Sequence, residues 1–440
     1  MGADIVVMEG SAGAGKTHAL RTVAEAYREK GYRVIGTSTA WRMANQLGED
    51  LAIESRATDA WLAQEKSGKP FLDRETVLIV DEAGQLSSRQ MFKVLEAAER
   101  EQAKVILTGD QRQLQAIGAG PGLRLVAEKI GVARIDTIVR QREAWMREAV
   151  EDLSLGRADK AIEAFERRGA LSWCVDGKDA VSKAVADWKT FRESNPNKTA
   201  LIMAKSNKQV RALNAEMREH LRQEGVLSGD DHLVRTLDSS GRRGQIAIAT
   251  GDQVLFKKRI DNIGVINGTA GVIVHVEAEA SSVRMSINIA GRRIEFSAND
   301  IADDRGHMPL AHGYAPTIYS SQGATVDSAF VIADHSLKRN EIYVAASRAR
   351  TDCRIYLDSS SLEKSVRARM LLDDPGRVAT SKQHLRQHLC ESWARPQTKS
   401  STLDFKSLES SAEYRHAERA VRPSETKSRQ MRLPRIELGR

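Results

Sequence analysis

The residues that most clearly could do chemistry lie in the octapeptide GSAGAGKT, residues 10–17. It matches the phosphate-binding pattern G-x-x-x-x-G-K-[ST] and stands between an apolar run and a helical pattern, the context that the motif requires. Glycines let backbone N–H groups approach phosphate oxygens, and the start of a helix adds partial positive charge. The lysine reaches the β- and γ-phosphates of ATP, and the threonine hydroxyl holds Mg²⁺. The residues predicted to bind nucleotide are Gly10, Ser11, Gly13, Gly15, Lys16 and Thr17.

Two carboxylates, Asp81 and Glu82, follow a second apolar run, TVLIV. A buried strand delivers such residues to the carboxyl edge of an open α/β sheet, where ligands bind. Asp81 is suited to complete the Mg²⁺ shell with Thr17, and Glu82 is suited to orient or activate the attacking water. The pair alone could be a plain helix N-cap. Beside a phosphate loop, we interpret both residues as catalytic.

A third apolar run, KVILTGD, ends at Asp110 and is followed by Gln113. A neutral glutamine at the edge of a phosphate site can sense the γ-phosphate by hydrogen bonding. Taken alone, this stretch is a strand-to-helix turn. Gln113 therefore becomes a candidate only in the company of the other two motifs.

The elements that must position these motifs alternate between apolar runs rich in Val, Ile and Leu and helical patterns. This alternation over residues 1–135 is typical of a parallel, doubly wound sheet with helices on both faces. Ser87 and Gln90 form a capping box that predicts a helix start. We therefore predict an α/β ATP-binding domain over residues 1–135.

The remaining chain divides into three parts by pattern. Residues 136–375 predict a second α/β domain, which is interrupted at 229–305 by period-two strands and glycine-rich turns typical of a small antiparallel β-barrel. Residues 376–440 are polar, and we expect a weakly ordered tail there. From residue 380 onward, 13 Lys and Arg face 7 Asp and Glu, so the tail is also basic and attracts polyanions.

Composition excludes several other classes of protein. A chain of 440 residues exceeds what one core supports, which favours two or three domains. No apolar run approaches the roughly 20 residues of a membrane helix, and the start MGADIVVMEG lacks the features of a signal peptide. Three scattered cysteines form neither a disulfide framework nor a zinc motif. We expect a cytoplasmic protein without a membrane partner.

Together with IVRQRE, NGTAG, HGYAPTIYSSQGATVD and YVAASRAR, the three motifs fall in the order of the RecD-like helicases of superfamily one. More narrowly, the chain resembles the helicase part of the TraA conjugative relaxases over about residues 4–358. The resemblance implies two RecA-like domains that hydrolyse ATP with Mg²⁺ and move along single-stranded DNA, 5′ to 3′. It also implies a relaxase or the conjugation machinery as a partner.

Further site residues are implied by matching positions. Arg140 and Arg348 match the arginines that these motors bring from the second domain to the γ-phosphate, where a guanidinium suits the transferring phosphoryl group. Hydroxyl and amide groups can grip DNA phosphates, and an aromatic ring can stack on a base. The predicted DNA contacts are Thr39, Trp41, Thr317, Tyr319 and Gln322.

Two departures bear on activity. Only nine residues precede Gly10, so we expect the adenine-recognising segment that these helicases place upstream to be missing. No His-x-His occurs, which predicts no DNA-nicking domain. His384, His388 and Cys390 have a spacing that could hold a metal, although we favour a solvated helix face. Two alternatives stay open: a phosphate-loop enzyme of another class, such as a small-molecule kinase, and a remnant without productive turnover that still binds nucleotide or nucleic acid.

Overall fold

The structure, a computed structural model, describes residues 4–135, 139–238, 241–279, 282–373, 380–401 and 404. Its first part contains the strands β1 (Ile5–Gly10), β2 (Arg33–Ser38), β3 (Glu54–Ala57), β4 (Thr76–Val80), β5 (Lys104–Gly109) and β6 (Ala133–Ile135). The helices between them are α1 (Lys16–Glu29), α2 (Trp41–Leu51), α3 (Thr58–Lys66), α4 (Ser88–Glu101) and α5 (Gly122–Ile130). The strands form one parallel sheet in the order β3-β2-β4-β5-β1-β6.

Both faces of this sheet are covered by helices, as the continuous apolar strands predict. In β4, Leu78 and Val80 face one apolar cluster, and Val77 and Ile79 face the other, because successive strand residues point to opposite sides. Helix α4 begins with the predicted capping box, in which Ser87 accepts a hydrogen bond from the Gln90 backbone. The predicted parallel α/β architecture is confirmed for this part.

The chain continues with α6 (Ala144–Leu155), α7 (Ala158–Arg167), β7 (Leu171–Cys174), α8 (Gly177–Ser194), β8 (Ala200–Ala204) and α9 (Asn207–Gln223). After α9 come β9 (Ser228–Leu237), β10 (Arg243–Thr250), β11 (Gln253–Phe256), β12 (Ala270–Ala278), β13 (Val283–Ile289), β14 (Arg292–Ser297) and β15 (Leu310–His312). The last elements are β16 (Val326–Ala333), α10 (Arg339–Ala346), β17 (Ala349–Asp358), α11 (Ser359–Asp373) and α12 (Lys382–Ala394).

Strands β7, β17, β16 and β8 form a second parallel sheet in that order. Between β8 and β16 lie an antiparallel sheet ordered β14-β13-β12-β11-β15 and the hairpin β10-β9. Both contribute to one apolar core, with Val234 from the hairpin and Phe256 and Phe296 from the sheet. Strand β15 pairs with β11 although it follows residue 305, so the antiparallel sheet extends beyond the predicted limit of the insertion.

The expectation of a weakly ordered tail from residue 376 is wrong for α12. Leu385, Leu389 and Trp393 recur every four residues, which places them on one helix face. Leu389 and Trp393 are fully buried in the cluster that also contains α10. Most of the other residues of α12 are polar, so the average composition of the segment does not reveal this apolar face. The expectations for 374–379 and 405–440 lie outside the described residues. None of the described helices has the length and apolar content needed to cross a membrane.

Candidate functional site

The phosphate loop joins β1 to α1. Gly13 and Gly15 have φ angles of 80° and 79°, in the left-handed region that glycine adopts without strain. Lys16 Nζ donates hydrogen bonds to the carbonyl oxygens of Gly10 at 2.6 Å and Ser11 at 3.4 Å. The ammonium also lines the cleft beside the loop. Phosphate oxygens entering this cleft can take over the two bonds that the backbone carbonyls now accept.

The two carboxylates follow β4 directly, as predicted. Asp81 is held by its backbone N–H, which donates to the carbonyl of Thr37 at 2.8 Å. Burial, and then the charge of Glu82, raises the pKa of Asp81 to about 7, while Lys16 opposes the shift. Glu82 has φ 50° and ψ 41°, a left-handed conformation that costs energy for a residue other than glycine. The local backbone therefore holds two crowded carboxylates that a cation would stabilise.

Asp110 and Gln113 lie beyond the end of β5, and both are nearly fully buried. Asp110 Oδ2 accepts hydrogen bonds from the Tyr343 hydroxyl at 2.7 Å and from Gln113 Nε2 at 3.3 Å. Because the side-chain nitrogen of Gln113 donates to Asp110, the side-chain oxygen of Gln113 points away from Asp110 and is available to other donors. Gln113 thus has a defined orientation at the edge of the cleft.

The two predicted arginines come together. A Cβ atom on Gly13 would lie 2.4 Å from Arg140 Cβ, so Arg140 packs directly against the phosphate loop. Arg140 donates to the carbonyl of Ser347 at 2.9 Å, and Arg348 donates to the Ser347 hydroxyl at 2.8 Å. Burial, reinforced by Arg140, lowers the pKa of Arg348 to about 9. The half-buried Arg140 and the fully buried Arg348 are both held by neutral oxygens and together form a receptor for an anion.

These groups line one cleft between the two parallel sheets. The first sheet and its connections contribute Lys16, Arg42, carboxylates and the amide of Gln113, and the second contributes the Arg348 guanidinium and the amide of Gln322. The lining residues are Ala12, Ala14, Lys16, Thr17, Arg42, Met43, Gln46, Leu47, Asp50, Asp81, Glu82, Gln113, Arg140, Gln322, Gly323, Ala324 and Arg348. The structure therefore brings together Lys16, Thr17 and all the other predicted catalytic residues.

Helix α10 supplies contacts that the sequence interpretation missed. The Tyr343 hydroxyl accepts a hydrogen bond from the Ala12 N–H at 2.8 Å while it donates to Asp110. Asn340 Nδ2 donates to the carbonyl oxygens of Arg112 at 2.9 Å and Gln113 at 2.8 Å. One helix of the second sheet thus holds both the phosphate loop and the segment after β5. The available signal was that Asn340 and Tyr343 adjoin the apolar residues of a helix that is buried from residue 340 to residue 346.

Gln322 lies apart from the other predicted DNA contacts. Its side chain is only 2% exposed and lines the cleft. Gln322 Nε2 donates to Glu82 Oε2 at 3.2 Å and to Gln113 Oε1 at 3.3 Å. The surface role predicted for Gln322 does not fit this position, because an amide enclosed in the cleft is not available to a DNA phosphate.

Thr39 and Trp41 lie at the start of α2. Thr39 Oγ1 donates to Gln85 Oε1 at 3.2 Å. The guanidinium of Arg259, which follows β11, lies 5.7 Å from the centre of the Trp41 ring. Trp41 is half-buried, so it packs against a residue of the antiparallel insertion and remains partly open to solvent. The helix start therefore contacts the insertion directly.

Thr317 and Tyr319 lie in the segment before Gln322, which the side chain of Arg42 links to α2. Arg42 donates to the carbonyl of Ser320 at 2.9 Å. Tyr319 is 37% exposed, and its hydroxyl donates to the carbonyl of Gln115 at 3.3 Å. Thr317 Oγ1 bonds Ser320 through both the backbone N–H and the hydroxyl. The four surface residues predicted to contact DNA thus belong to two segments joined by Arg42.

His384 and His388, the histidine pair near Cys390, both take part in hydrogen bonds. His388 Nε2 lies 3.1 Å from Ser365 Oγ, and His384 accepts the Ser381 backbone N–H at the start of α12. In the part of the chain that the structure describes, no three His, Cys, Asp or Glu side chains converge on a common point.

Comparisons with known proteins agree with this arrangement. The AAA domain family matches residues 1–176. The TraA conjugal transfer protein of Agrobacterium fabrum is 38% identical over 354 residues, 80% of this chain and 31% of that protein. The chain is homologous to a part of TraA. It thus spans about a third of the length of this relative, and the recognition made from the motifs is confirmed.

More distant relatives are helicases. The ATP-dependent RecD2 DNA helicase of Deinococcus radiodurans is 24% identical over 359 residues, 79% of this chain and 46% of that protein. The crystal structure of Bacteroides Pif1 bound to single-stranded DNA aligns with a TM-score of 0.51 and 15% identity, covering 81% of this chain and 90% of that one. The likeness to Pif1 confirms the predicted fold.

Proposed function

We propose that this TraA-homologous chain is a motor that couples ATP hydrolysis to movement along single-stranded DNA. The observation that carries the proposal is the composition of the cleft. Lys16, Asp81 and Glu82 line it from the first sheet and its connections, Arg140 lines it from the segment between β6 and α6, and Arg348 lines it from the segment between α10 and β17 of the second sheet. Such an arrangement lets the γ-phosphate hold the two sheets together, and its loss lets them separate.

The residues have distinct roles in this proposal. The phosphate loop and Lys16 bind the phosphates, Glu82 accepts a proton from the attacking water, and the two arginines stabilise charge on the transferring phosphoryl group. Gln113 reports whether the γ-phosphate is present. Because Arg348 follows α10 of the second sheet and the phosphate loop follows β1 of the first, only the closed cleft is competent for hydrolysis.

Mg²⁺ fits the donor set of this chain. Thr17 and Asp81 both line the cleft, and the raised pKa of Asp81 reflects a buried carboxylate in need of a cation. One hydroxyl and one carboxylate leave the remaining positions to phosphate oxygens and water, as Mg²⁺ prefers. The ion would shield the phosphate charge, while Asp81 keeps it oriented.

Four surface residues support a path for the strand: Thr39, Trp41, Thr317 and Tyr319. Arg42 adds positive charge beside them, and Arg259, which is ion-paired with Asp261, lies against the Trp41 ring. The likeness to RecD and TraA supports movement in the 5′ to 3′ direction. It also supports a role in conjugative transfer of plasmid DNA beside a relaxase. This role would place the protein in the cytoplasm, which contains both plasmid DNA and ATP.

The first test is ATP turnover by the purified chain with and without oligo(dT). We expect Mg²⁺-dependent turnover that single-stranded DNA stimulates several-fold and that EDTA abolishes. Turnover indifferent to DNA would favour a phosphate-loop enzyme of another class. Binding of oligo(dT) without any turnover would favour a remnant.

The second test is strand displacement on duplexes with either a 5′ or a 3′ single-stranded tail. We expect displacement from the 5′-tailed substrate. Displacement from the 3′-tailed substrate alone would overturn the polarity and leave the motor function standing.

A further inference from the structure

The segment 317–324 is a compact unit held by its own hydrogen bonds. The backbone N–H of Ser321 donates to the Thr317 carbonyl at 3.0 Å, and the Ser321 hydroxyl donates to the Ile318 carbonyl at 2.7 Å. The N–H of Gln322 donates to the Tyr319 carbonyl at 3.3 Å. A segment bonded in this way moves as one body. Displacement of its exposed part, Thr317 and Tyr319, therefore displaces Gln322.

Gln322 belongs to the part of this segment that lines the cleft. Its Nε2 faces two acceptors, Glu82 Oε2 and Gln113 Oε1, which fixes the orientation of the amide. Its Oε1 is buried and, within the described residues, receives no hydrogen bond. A buried acceptor without a donor costs free energy unless a ligand or water supplies one. This acceptor, Gln322 Oε1, belongs to a side chain that contacts Glu82. In the proposed function, the attacking water binds beside Glu82.

The same amide closes a chain of hydrogen bonds across the cleft. Gln322 Nε2 donates to Gln113 Oε1, Gln113 Nε2 donates to Asp110, and the Tyr343 hydroxyl donates to Asp110 while it accepts the Ala12 N–H. Each polar group thereby orients the next, from Gln322 to the phosphate loop. A shift of Gln322 therefore changes the surroundings of every group in this series of hydrogen bonds.

We propose that Gln322 is a catalytic residue that positions the attacking water and makes hydrolysis depend on what the segment 317–321 contacts. In the hydrolysis step, the water oxygen bonds to the γ-phosphorus, the bond from this phosphorus to the β–γ bridging oxygen breaks, and ADP leaves with that electron pair. Gln322 Oε1 accepts one hydrogen of the water in a hydrogen bond, while Glu82 takes the other as a proton. This inference rests on the proposed function, because single-stranded DNA is the ligand that the segment 317–321 contacts in that proposal.

Arg42 strengthens the link from the opposite side. Its guanidinium donates to the carbonyl of Gln322 at 3.1 Å as well as to that of Ser320. Ala324, at the end of the segment, accepts a bond from Arg348 at 3.3 Å. The segment is therefore connected to α2, which begins at Trp41, and to the arginine that faces the γ-phosphate.

The test compares Gln322→Ala and Gln322→Glu with the unchanged chain. In Gln322→Ala, the kcat with saturating oligo(dT) should fall on the order of 100-fold, as when one fixed donor or acceptor is removed from a reacting centre. The KM for ATP and the Kd for oligo(dT), measured by fluorescence anisotropy, should each stay within about threefold, because neither ground-state contact is lost. Gln322→Glu has the same shape but no N–H for Glu82 and Gln113, so it should be equally impaired.

Gln223→Ala is the matched control, because Gln223 also donates from its amide to a glutamate, Glu219, but on the exposed end of α9. It should leave stimulated turnover unchanged. Stimulated turnover retained in both Gln322 variants, or lost in parallel with oligo(dT) and ATP binding, would overturn the role of Gln322. If Gln322→Ala does not fold, Gln322→Glu decides. An unchanged chain that hydrolyses ATP without any response to oligo(dT) would overturn the proposed function and this inference with it.

Discussion

The two sides of the cleft are built differently. The first side consists of strand ends and the loops after them, and its groups occur in chain order between residues 10 and 113. The second side takes Arg140, Gln322, Tyr343 and Arg348 from segments that are far apart in the chain. Backbone amides, Lys16 and carboxylates can bind phosphate and a cation without the second side. The guanidinium groups of Arg140 and Arg348 are held by neutral oxygens and have Glu82 as a nearby carboxylate, so a γ-phosphate would add to their counter-charge.

This difference predicts that the two sides fail in different ways when they are changed. Loss of a group from the first side should weaken nucleotide binding together with turnover. Loss of a group from the second side should lower turnover while the nucleotide still binds.

Arg348→Ala should have the largest effect. Because a guanidinium on the transferring phosphoryl group acts mainly in the transition state, kcat should fall on the order of 10³-fold, with little change in binding of a fluorescent ATP analogue. Arg348→Lys keeps the charge but loses the planar fork, so it should remain strongly impaired. Equal loss of binding and turnover would contradict the distinction between the two sides.

Lys16→Ala should come next, with kcat lower on the order of 10²-fold. Here the affinity for the ATP analogue should fall as well, because Lys16 contacts the phosphates before the reaction begins. The measurement is a titration of the analogue beside steady-state turnover. Unchanged affinity would show that the first side does not bind nucleotide independently.

Tyr343→Phe tests the hydroxyl that joins the two sides. The change leaves the Ala12 N–H without its acceptor and removes one of the donors to Asp110, which should lower the free energy of unfolding by about 2 kcal/mol. We expect kcat to fall about tenfold, which corresponds to about 1.4 kcal/mol. Tyr27→Phe is the control, because the Tyr27 ring packs on Tyr32 outside the cleft. The measurements are the free energy of unfolding, from denaturant titration, and kcat. A lower free energy of unfolding with an unchanged kcat would show that the hydroxyl has a purely structural role.

Arg259→Ala should have the smallest effect. The contact with Trp41 is a cation–π interaction that contributes about 0.5–1 kcal/mol, and its loss should weaken oligo(dT) binding about threefold. Turnover at saturating oligo(dT) should not change, because Arg259 lies outside the cleft. A change in saturated turnover would mean that the insertion takes part in hydrolysis.

The first side was predictable because local rules specify it. The strands before Lys16, Asp81 and Asp110 are continuous apolar runs, and the glycine pattern allows few other interpretations. The short strands β3 and β7, ESRA and LSWC, were missed because polar residues interrupt them and their pairing depends on neighbours distant in the chain.

The second side needed the structure. Gln322 shares one motif with Thr317 and Tyr319, and nothing in that motif tells which side chain turns toward Glu82. Tyr343 and Asn340 are polar residues on a buried helix, and their partners are more than 200 residues away. Contacts between segments far apart in the chain decide these roles, so local sequence patterns cannot supply them.

Helix α12 has a consequence for how the protein loses activity on heating. Helices with few buried side chains usually unfold locally before the core melts. Here Trp393 shares an apolar cluster with Tyr343 and Ile342 of α10, directly before Arg348. If α12 melted alone, it would leave an open cavity beside α10. Heat should therefore remove α12 and ATP turnover in a single cooperative transition, with no active intermediate that lacks α12.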